Sequence, residues 1–444
     1  MKYIKLNKDF YLEPYTPSRY FLVLKNGGIK WLINDSFYEI LIRLSGNYSY
    51  DEIINDLAKY YSDSYENVKR IIDEFLVELN NLYNIKPVFL NNKTNDKISV
   101  IGNVCYYPKS ASIEITEQCN IRCLHCYGCF GEINKHEMKL EDIKKILFDL
   151  NSIGVKTIEL TGGDISTYKN LKDVIIYALN LDFYKIDLLT NGIALKKEIM
   201  DLIIANRDRI EVQIDLHSLK DDYLYWFTNV KNSLNKIKSH IQYLADNKVR
   251  MRIATIITEK NLHEMDDIAE WIAKRNIKWG IGLVEKIGRA NINKENLYLN
   301  KTEFEYFVRK VEEINLKYPN MVSIIDYQPN DNNCGAMTTH VVIKTNGDIK
   351  LCTMDDSSCL NIKMGNCIND NVKNIYDNNM DIIKWLVNYK LPDDSCDECN
   401  SCEEKNGCRH CLLRHFINVK EKDFKCEWFI NNSNKKYANY LFGV

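Results

Sequence analysis

Between residues 112 and 300, six short apolar runs alternate with amphipathic helical stretches, and this alternation leaves few folds open. The runs are Ser112–Thr116, Lys156–Leu160, Tyr184–Thr190, Ile210–Leu216, Val249–Ile257 and Trp279–Val284. Between them fall residues at helical spacing, such as Leu140, Ile143, Ile146, Leu147 and Leu150. Antiparallel strands can turn tightly into one another, but parallel strands need a long crossover, usually a helix. The alternation therefore predicts an α/β fold with a parallel sheet. Six units are too few for a closed eight-stranded barrel, so a partial, open (β/α)6 barrel is expected. In such barrels the chemistry sits at the C-terminal ends of the strands.

The first run leads straight into CNIRCLHCY, residues 119–127. Cys119, Cys123 and Cys126 thus stand at C-x3-C-x2-C spacing on the loop where chemistry is expected. Three thiolates suit a metal centre that keeps a fourth position for something else. A structural zinc site takes four protein ligands, whereas iron–sulfur clusters are held by Cys thiolates. A zinc module with a distant fourth ligand is the alternative.

The chain has 444 residues and fifteen cysteines, so two or three domains are expected. Its start, MKYIKLNKDFYLEPY, lacks an apolar h-region and does not read as a secretory signal. A cytoplasmic location follows, where cysteines serve as ligands more often than as disulfides. No apolar run approaches the roughly 20 residues that span a bilayer. The net charge of −2 leaves no footprint for nucleic acid. Neither a membrane nor nucleic acid is expected as a partner.

A second set of cysteines fills the C-terminal part. Cys334 comes first, then Gly347 and Cys352 in NGDIKLC, then Cys396, Cys399, Cys402, Cys408 and Cys411, and finally Cys426. Zinc ribbons also use C-x2-C pairs, and only geometry separates zinc from iron–sulfur in a thiolate set. Residues 334–444 form a domain on this reading, preceded by a bridging helical region at 301–333 that contains Glu303–Lys317.

Residues 1–90 read as a separate small domain. Tyr20–Leu24 and Ile29–Ile33 flank Lys25-Asn26-Gly27-Gly28, a hairpin signal. Three helical patterns follow: Ser36–Leu44, a helix opened by a Ser49/Glu52 capping box, and a stripe of Val68, Ile71, Ile72, Phe75, Leu76 and Leu79. A hairpin with three helices is a winged-helix arrangement. A DNA-reading helix exposes Lys and Arg, but here Asp51, Glu52, Asp56, Asp63, Glu66, Asp73, Glu74 and Glu78 outnumber Lys59, Lys69 and Arg70. Lys2, Lys5, Lys8, Arg19, Lys25 and Lys30 lie towards the hairpin, either to attract an acidic peptide or as plain solvated surface. Residues 91–111 read as a linker, with Cys105 a spare thiol.

These motifs together resemble a known family. CNIRCLHCY resembles the signature of radical S-adenosylmethionine (SAM) enzymes, in which three cysteines hold a [4Fe-4S] cluster whose open iron chelates SAM. The resemblance makes Cys119, Cys123 and Cys126 the catalytic cluster ligands and puts the aromatic Tyr127 beside the cofactor. Gly162-Gly163-Asp164 resembles the family's Gly-Gly-Glu motif, which holds the methionyl ammonium. Asp164 keeps the charge on a shorter arm, and a plain βα turn is the alternative. Thr190-Asn191-Gly192 matches a family turn near SAM, with Asn191 a cofactor contact or ordinary turn chemistry. Asp215 and His217 end the fourth strand, where the family holds the ribose, although a rim histidine is equally consistent. Arg252 would meet the SAM carboxylate or make an ordinary salt bridge. Cys129 is expected to stand outside the cluster, though it would compete for the fourth position when SAM is absent.

The C-terminal cysteines resemble the SPASM extension, which carries one or two auxiliary iron–sulfur clusters, although its last spacing is usually x3 and here is x2. By position, Cys334, Cys352 and Cys411 hold the first auxiliary cluster, completed by Cys359, Cys367 or Cys396, or left open to substrate. Cys399, Cys402, Cys408 and Cys426 hold the second. LINDSFYEILIRLSGNYSYDEIINDLAKYY resembles PqqD-like domains, which bind a leader peptide as an added strand.

In this order the three parts resemble maturases of ribosomally synthesised peptides, in particular the subtilosin-type sactipeptide synthases of bacteriocin biosynthesis. The resemblance implies Cys-sulfur to carbon thioether formation through hydrogen abstraction by a 5′-deoxyadenosyl radical. An auxiliary cluster would accept the further electron. The implied partners are a precursor peptide and an electron donor such as flavodoxin or ferredoxin. One departure stands out: where such enzymes often carry Phe-Arg-Gly, this chain has Trp226-Phe227-Thr228. A carbon–carbon crosslink, an epimerisation, a sulfatase-type maturation or a zinc-bearing DNA-binding regulator are the other readings.

Overall fold

A computed structural model describes residues 2–7, 9–16, 19–24, 28–83, 85–94, 96–101, 106–131, 136–292, 296–319, 321–323, 334–355, 360, 362, 364–392, 396–402, 408–409, 411–423, 425–432 and 436–437. The chain divides into two compact units, Met1–Tyr106 and Tyr107–Val444.

The first unit begins with β1 (Tyr3–Leu6), β2 (Phe10–Thr16), β3 (Arg19–Leu24) and β4 (Gly28–Asn34). It continues through α1 (Asp35–Arg43), β5 (Ser45–Ser49), α2 (Tyr50–Tyr61), α3 (Tyr65–Tyr83), β6 (Pro87–Leu90) and β7 (Ser99–Val100). Strands β3 and β4 form the antiparallel hairpin that the alternation implied; residues 25–27 of its turn lie outside the described residues. The box that opens α2 forms as its sequence dictates, with Glu52 N donating to Ser49 Oγ at 3.3 Å and Ser49 N donating to the Glu52 carboxylate at 2.7 Å. Ile4, Leu12, Leu22 and Ile33 from strands bury against Leu41, Ile53, Leu57, Ile72, Phe75 and Leu79 from helices.

The unit also holds strands that no pattern announced. Its sheets run β4-β3-β2-β7 and β5-β1-β6. Strand β7 pairs with β2 inside the stretch read as a linker. A two-residue strand carries no periodicity, so only its pairing partner reveals it.

In the second unit β8 (Ser110–Thr116), β9 (Thr157–Gly162), β10 (Lys185–Thr190), β11 (Ile210–Asp215), β12 (Arg250–Ile257) and β13 (Lys278–Leu283) fall within about two residues of the six expected runs. Between them run α4 (Leu140–Ser152), α5 (Leu171–Leu179), α6 (Lys197–Ala205), α7 (Asp221–Thr228), α8 (Leu234–Asp246) and α9 (Met265–Ala273). Neighbours in sequence are neighbours in the sheet, all parallel. Alternate residues Ile113, Ile115, Ile158, Leu160, Ile186, Val212, Ile214 and Ile253 are fully buried. Ser112, Glu114, Glu159, Asp187, Gln213 and Arg252 occupy the positions between, so the opposite face of the sheet is polar.

The sheet is wider than six strands. After α10 (Lys301–Lys317), β14 (Val322–Ser323) joins β13 in parallel, β15 (His340–Ile343) joins β8 in parallel, and β16 (Ile349–Lys350) pairs antiparallel with β15. The cysteine-rich region therefore starts as part of the core sheet. His340 fixes the join, with its two ring nitrogens 2.8 Å from the hydroxyls of Ser110 and Ser112. Helices Val372–Asn378, Met380–Asn388, Leu412–Glu421 and Glu427–Asn432 complete the unit. Among the described residues no helix is long and apolar enough to cross a membrane.

Candidate active site

The loop after β8 is shaped by two arginines that bind its carbonyls. Arg122 Nη1 donates to Cys119 O at 2.8 Å and Ile121 O at 2.9 Å. Arg289 donates to Cys123 O at 2.9 Å through Nη1 and to Phe130 O through Nη2, while its backbone N reaches Cys126 O at 3.0 Å. Gly288 precedes it at φ +52°, where a Cβ would lie 2.2 Å from Tyr127 O, so no larger residue fits. No pattern in the sequence around Arg289 signals this role. Its partners are more than 150 residues away in sequence, and no local pattern shows them.

The thiols of Cys119, Cys123 and Cys126 share one site. Burial pushes Cys119 up to about 12, helped by the nearby Asp164 carboxylate and Cys126. Burial pushes Cys123 well above the usual thiol range, helped by Cys126 and Cys119. Bare, these two thiols are neutral. A metal reverses that, because a coordinating thiol is deprotonated. The donor set, all sulfur and short of four, fits an iron–sulfur cluster with one open iron.

The second strand ends against this loop. Gly163 N donates to Thr116 O at 2.7 Å and Asp164 N to Gln118 O at 2.8 Å. A Cβ on Gly162 or Gly163 would lie 2.1 Å from a carbonyl oxygen of the Thr116–Gln118 segment. The Asp164 side chain, 1% exposed, faces inward. It accepts from Ser166 N at 2.8 Å, Ser166 Oγ at 2.5 Å, Thr190 Oγ1 at 3.0 Å and Asn191 N at 2.6 Å. Burial raises its carboxyl while these hydrogen bonds pull the other way. The carboxylate thus ties the second-strand turn to the third. Asn191, held there, points Nδ2 at Asn120 Oδ1 (2.7 Å) and lies 3.9 Å from Cys119 Sγ.

Asp215, at the end of β11, is pushed up to about 7, chiefly by burial and then by Asp164, against relief from Gln213 and Arg252. Arg252 hydrogen-bonds Gln213 on the polar face of the sheet. The Tyr127 hydroxyl donates to Glu114 at 3.2 Å. Lys350 Nζ lies 5.0 Å from the Tyr127 ring centroid and 2.6 Å from the same carboxylate, a buried ion pair that ties β16 to β8.

His217 is 3% exposed, and its Nδ1 accepts the Ile256 N–H at 3.2 Å. The neutral ring must then carry its proton on Nε2, which has no partner among the described residues. His125, which sequence reasoning passed over as a spacer in the cysteine loop, stacks on Phe227 at 4.8 Å and 7° with its Nδ1 also unpartnered. Ligand atoms of Cys123, His125 and His217 lie within 4.8 Å of one another. His217 Nε2–H cannot ligate a metal while protonated, so this ring offers a polar contact to a guest rather than a fourth ligand. Burial lowers His125 to about 4 and His217 well below its ordinary value, keeping both neutral at pH 7.

The C-terminal thiols fall into two groups. Cys352 is pushed up to about 12 by burial, then by Cys411 and Cys334. Cys399 is pushed up to about 11 by burial, then by Cys396, Cys426, Cys402 and Cys408. Cys396 thus sits with the second group. Cys367 is fully buried beneath Lys145, whose Nζ donates to Cys367 O at 2.9 Å, and the charges acting on its thiol come from Lys145 and three carboxylates. Cys105 and Cys359 lie outside the described residues. Cys129, at φ +51°, donates its N–H to Cys126 O at 3.4 Å. A cavity of about 350 Å³ opens at the ends of β12 and β13, lined by Ile257, Leu283, Lys286, Leu297 and Phe304.

Residues 113–272 match the model of the radical SAM superfamily. The antilisterial bacteriocin subtilosin biosynthesis protein AlbA of Bacillus subtilis is 25% identical over 406 residues, 90% of this chain and 88% of AlbA. The sporulation killing factor maturation protein SkfB of the same organism is 24% identical over 280 residues, 61% of this chain and 65% of SkfB. Among solved structures, Streptococcus suis SuiB bound to its precursor peptide SuiA superposes with a TM-score of 0.59 at 15% identity, covering 94% of this chain and 97% of SuiB. The likeness to SuiB shows the shared fold.

Proposed function

We propose, on the premise that residues 113–272 are a radical SAM domain, that the chain is a maturase that closes Cys-sulfur to carbon thioether links in a ribosomally synthesised peptide. One observation carries this reading: a three-thiol site at the mouth of a parallel sheet, followed by two further thiol groups, in a chain that aligns with nearly all of AlbA.

Cys119, Cys123 and Cys126 would hold a [4Fe-4S] cluster, which with SAM would supply a carbon radical able to take hydrogen from a peptide carbon. The protein's part is to place and insulate. Arg122 and Arg289 hold the thiol loop open towards the mouth. Gly162 and Gly163 let this edge pack directly on the Thr116–Gln118 backbone, and Asp164 locks it to Asn191. His217 Nε2–H and Asp215 face the same space and are suited to the polar groups of SAM. His125 and Phe227 form an apolar wall that excludes water. Arg252 balances the carboxylates below. The thiol groups at Cys334/Cys352/Cys411 and Cys399/Cys402/Cys408/Cys426 would hold auxiliary clusters, which would supply an acceptor for the second electron.

Strand β4 is the edge of its sheet in the order β4-β3-β2-β7, which supports addition of a leader peptide there as a further strand. The remaining partners are an electron donor such as flavodoxin or ferredoxin, in the cytoplasm, with no nucleic acid.

The test is anaerobic reconstitution with SAM, a strong reductant and a cysteine-containing precursor. Formation of 5′-deoxyadenosine with loss of two hydrogens per link supports thioether closure once tandem mass spectrometry assigns the bond to sulfur. Unchanged peptide mass with inverted stereocentres points to epimerisation. Zinc in place of iron and sulfide overturns the reading.

A further inference from the structure

We infer that Asn418 and Lys422 raise the reduction potential of the second auxiliary centre and make it an electron acceptor relative to the Cys119/Cys123/Cys126 centre. This rests on the proposal that Cys399, Cys402, Cys408 and Cys426 hold an iron–sulfur cluster.

The helix Leu412–Glu421 starts immediately after Cys411. Asn418 and Lys422 stand four residues apart, so their side chains leave the same face. Asn418 Nδ2 lies 3.3 Å from Cys408 Sγ, and Lys422 Nζ lies 2.9 Å from Cys402 Sγ. One helix face therefore aims two donors at two different ligand sulfurs.

An electron added to a thiolate-bound cluster puts extra negative charge partly on its sulfurs. Hydrogen bonds and a nearby ammonium stabilise that reduced form more than the oxidised one, which raises the potential. Lysine is common at helix C-termini, where it answers the macrodipole. That role alone gives no reason for Nζ to lie within hydrogen-bond reach of a thiol.

The Cys119/Cys123/Cys126 site is built with the opposite bias. Its arginines donate to backbone carbonyls rather than to sulfur. The nearest side-chain donor to a sulfur there, among the described residues, is Asn191 at 3.9 Å. The carboxyls of Asp164 and Asp215 act on its thiols more strongly than the guanidiniums of Arg122 and Arg289 oppose them. Negative neighbours and few sulfur donors keep a cluster reducing. Closing a thioether takes one hydrogen atom from carbon and one proton and one electron from the Cys S–H. The electron then has a downhill path to the centre beside Lys422, and the proton leaves to water.

The experiment uses the full chain, anaerobically reconstituted, with Cys119, Cys123 and Cys126 replaced by alanine to silence the first cluster. Iron and sulfide are counted, and the remaining centres are titrated by potentiometric EPR. The signal that vanishes in a further Cys399→Ala variant belongs to the second centre. The midpoint of that signal is expected to become more negative in Lys422→Gln and in Asn418→Ala, most negative in the double variant, and near native in Lys422→Arg. The midpoint of the other auxiliary centre stays put. An unchanged midpoint in Lys422→Gln at full iron content overturns the inference. Iron content insensitive to loss of Cys399 overturns the underlying assignment instead.

Discussion

At the scale of single residues, buried charges are the most exposed to test. Lys350 and Glu114 pair at 2.6 Å with side chains 5% and 3% exposed. Removing one partner of such a pair strands the other without solvent. Lys350→Met is expected to destabilise the second unit by about 3–5 kcal/mol, read from denaturant unfolding, and adding Glu114→Gln should recover much of it. A single variant within 1 kcal/mol of the native chain would show the pair to be better hydrated than it stands here. Asp164 differs, because its carboxylate gathers four donors from two turns. Asp164→Ala leaves the Thr190 O–H and the Asn191 N–H without an acceptor, at about 1–3 kcal/mol for each buried group. SAM affinity by calorimetry is expected to fall at least tenfold, with iron content unchanged because no cysteine is touched. Retained affinity would show that the turn keeps its shape without the carboxylate.

Elements behave as units where one side chain joins two of them, and β15 is the clear case. His340 bridges the hydroxyls of Ser110 and Ser112 on β8, and burial lowers its pKa from 6.5 to about 4. The unfolded chain therefore takes up the proton first as pH falls. Stability from this contact is whole above about pH 6.5 and drains away as pH drops towards 4. A His340→Gln variant should lose this part of the pH dependence between those limits, measured by thermal unfolding in matched buffers. An identical pH profile in the variant would place the titration elsewhere. The helix Leu412–Glu421 acts likewise, setting donors against two sulfurs from one face.

On the scale of the whole molecule, each of the two units encloses its own core. Residues 107–444 contain every thiol proposed to hold a cluster and every residue proposed to meet SAM. That fragment, reconstituted without oxygen, is expected to split SAM at a rate within a few-fold of the full chain while losing affinity for a full-length precursor. Equal precursor affinity in the fragment would remove the first unit from leader binding. Withholding iron is expected to leave the first unit folded and to open residues 396–432 to protease. A metal held by Cys399, Cys402, Cys408 and Cys426 would crosslink that stretch, so part of its order is expected to come from the metal.

Periodicity and spacing were sufficient for six strands to within about two residues, for the capping box at Ser49 and Glu52, and for the grouping of Cys119, Cys123 and Cys126. Each of these depends on residues near one another in the chain. The partners that complete the site are not near in sequence: Arg289 on the loop carbonyls, His125 against Phe227, Lys350 on Glu114, Lys422 on Cys402. The strands β7, β14 and β16, two residues each, also escaped notice, since pairing alone defines them. Local order is encoded in local chemistry and can be read without coordinates. Which buried polar group meets which, and so how each site is charged, emerges only when distant segments close around it, because those energies belong to pairs and to burial rather than to any single stretch.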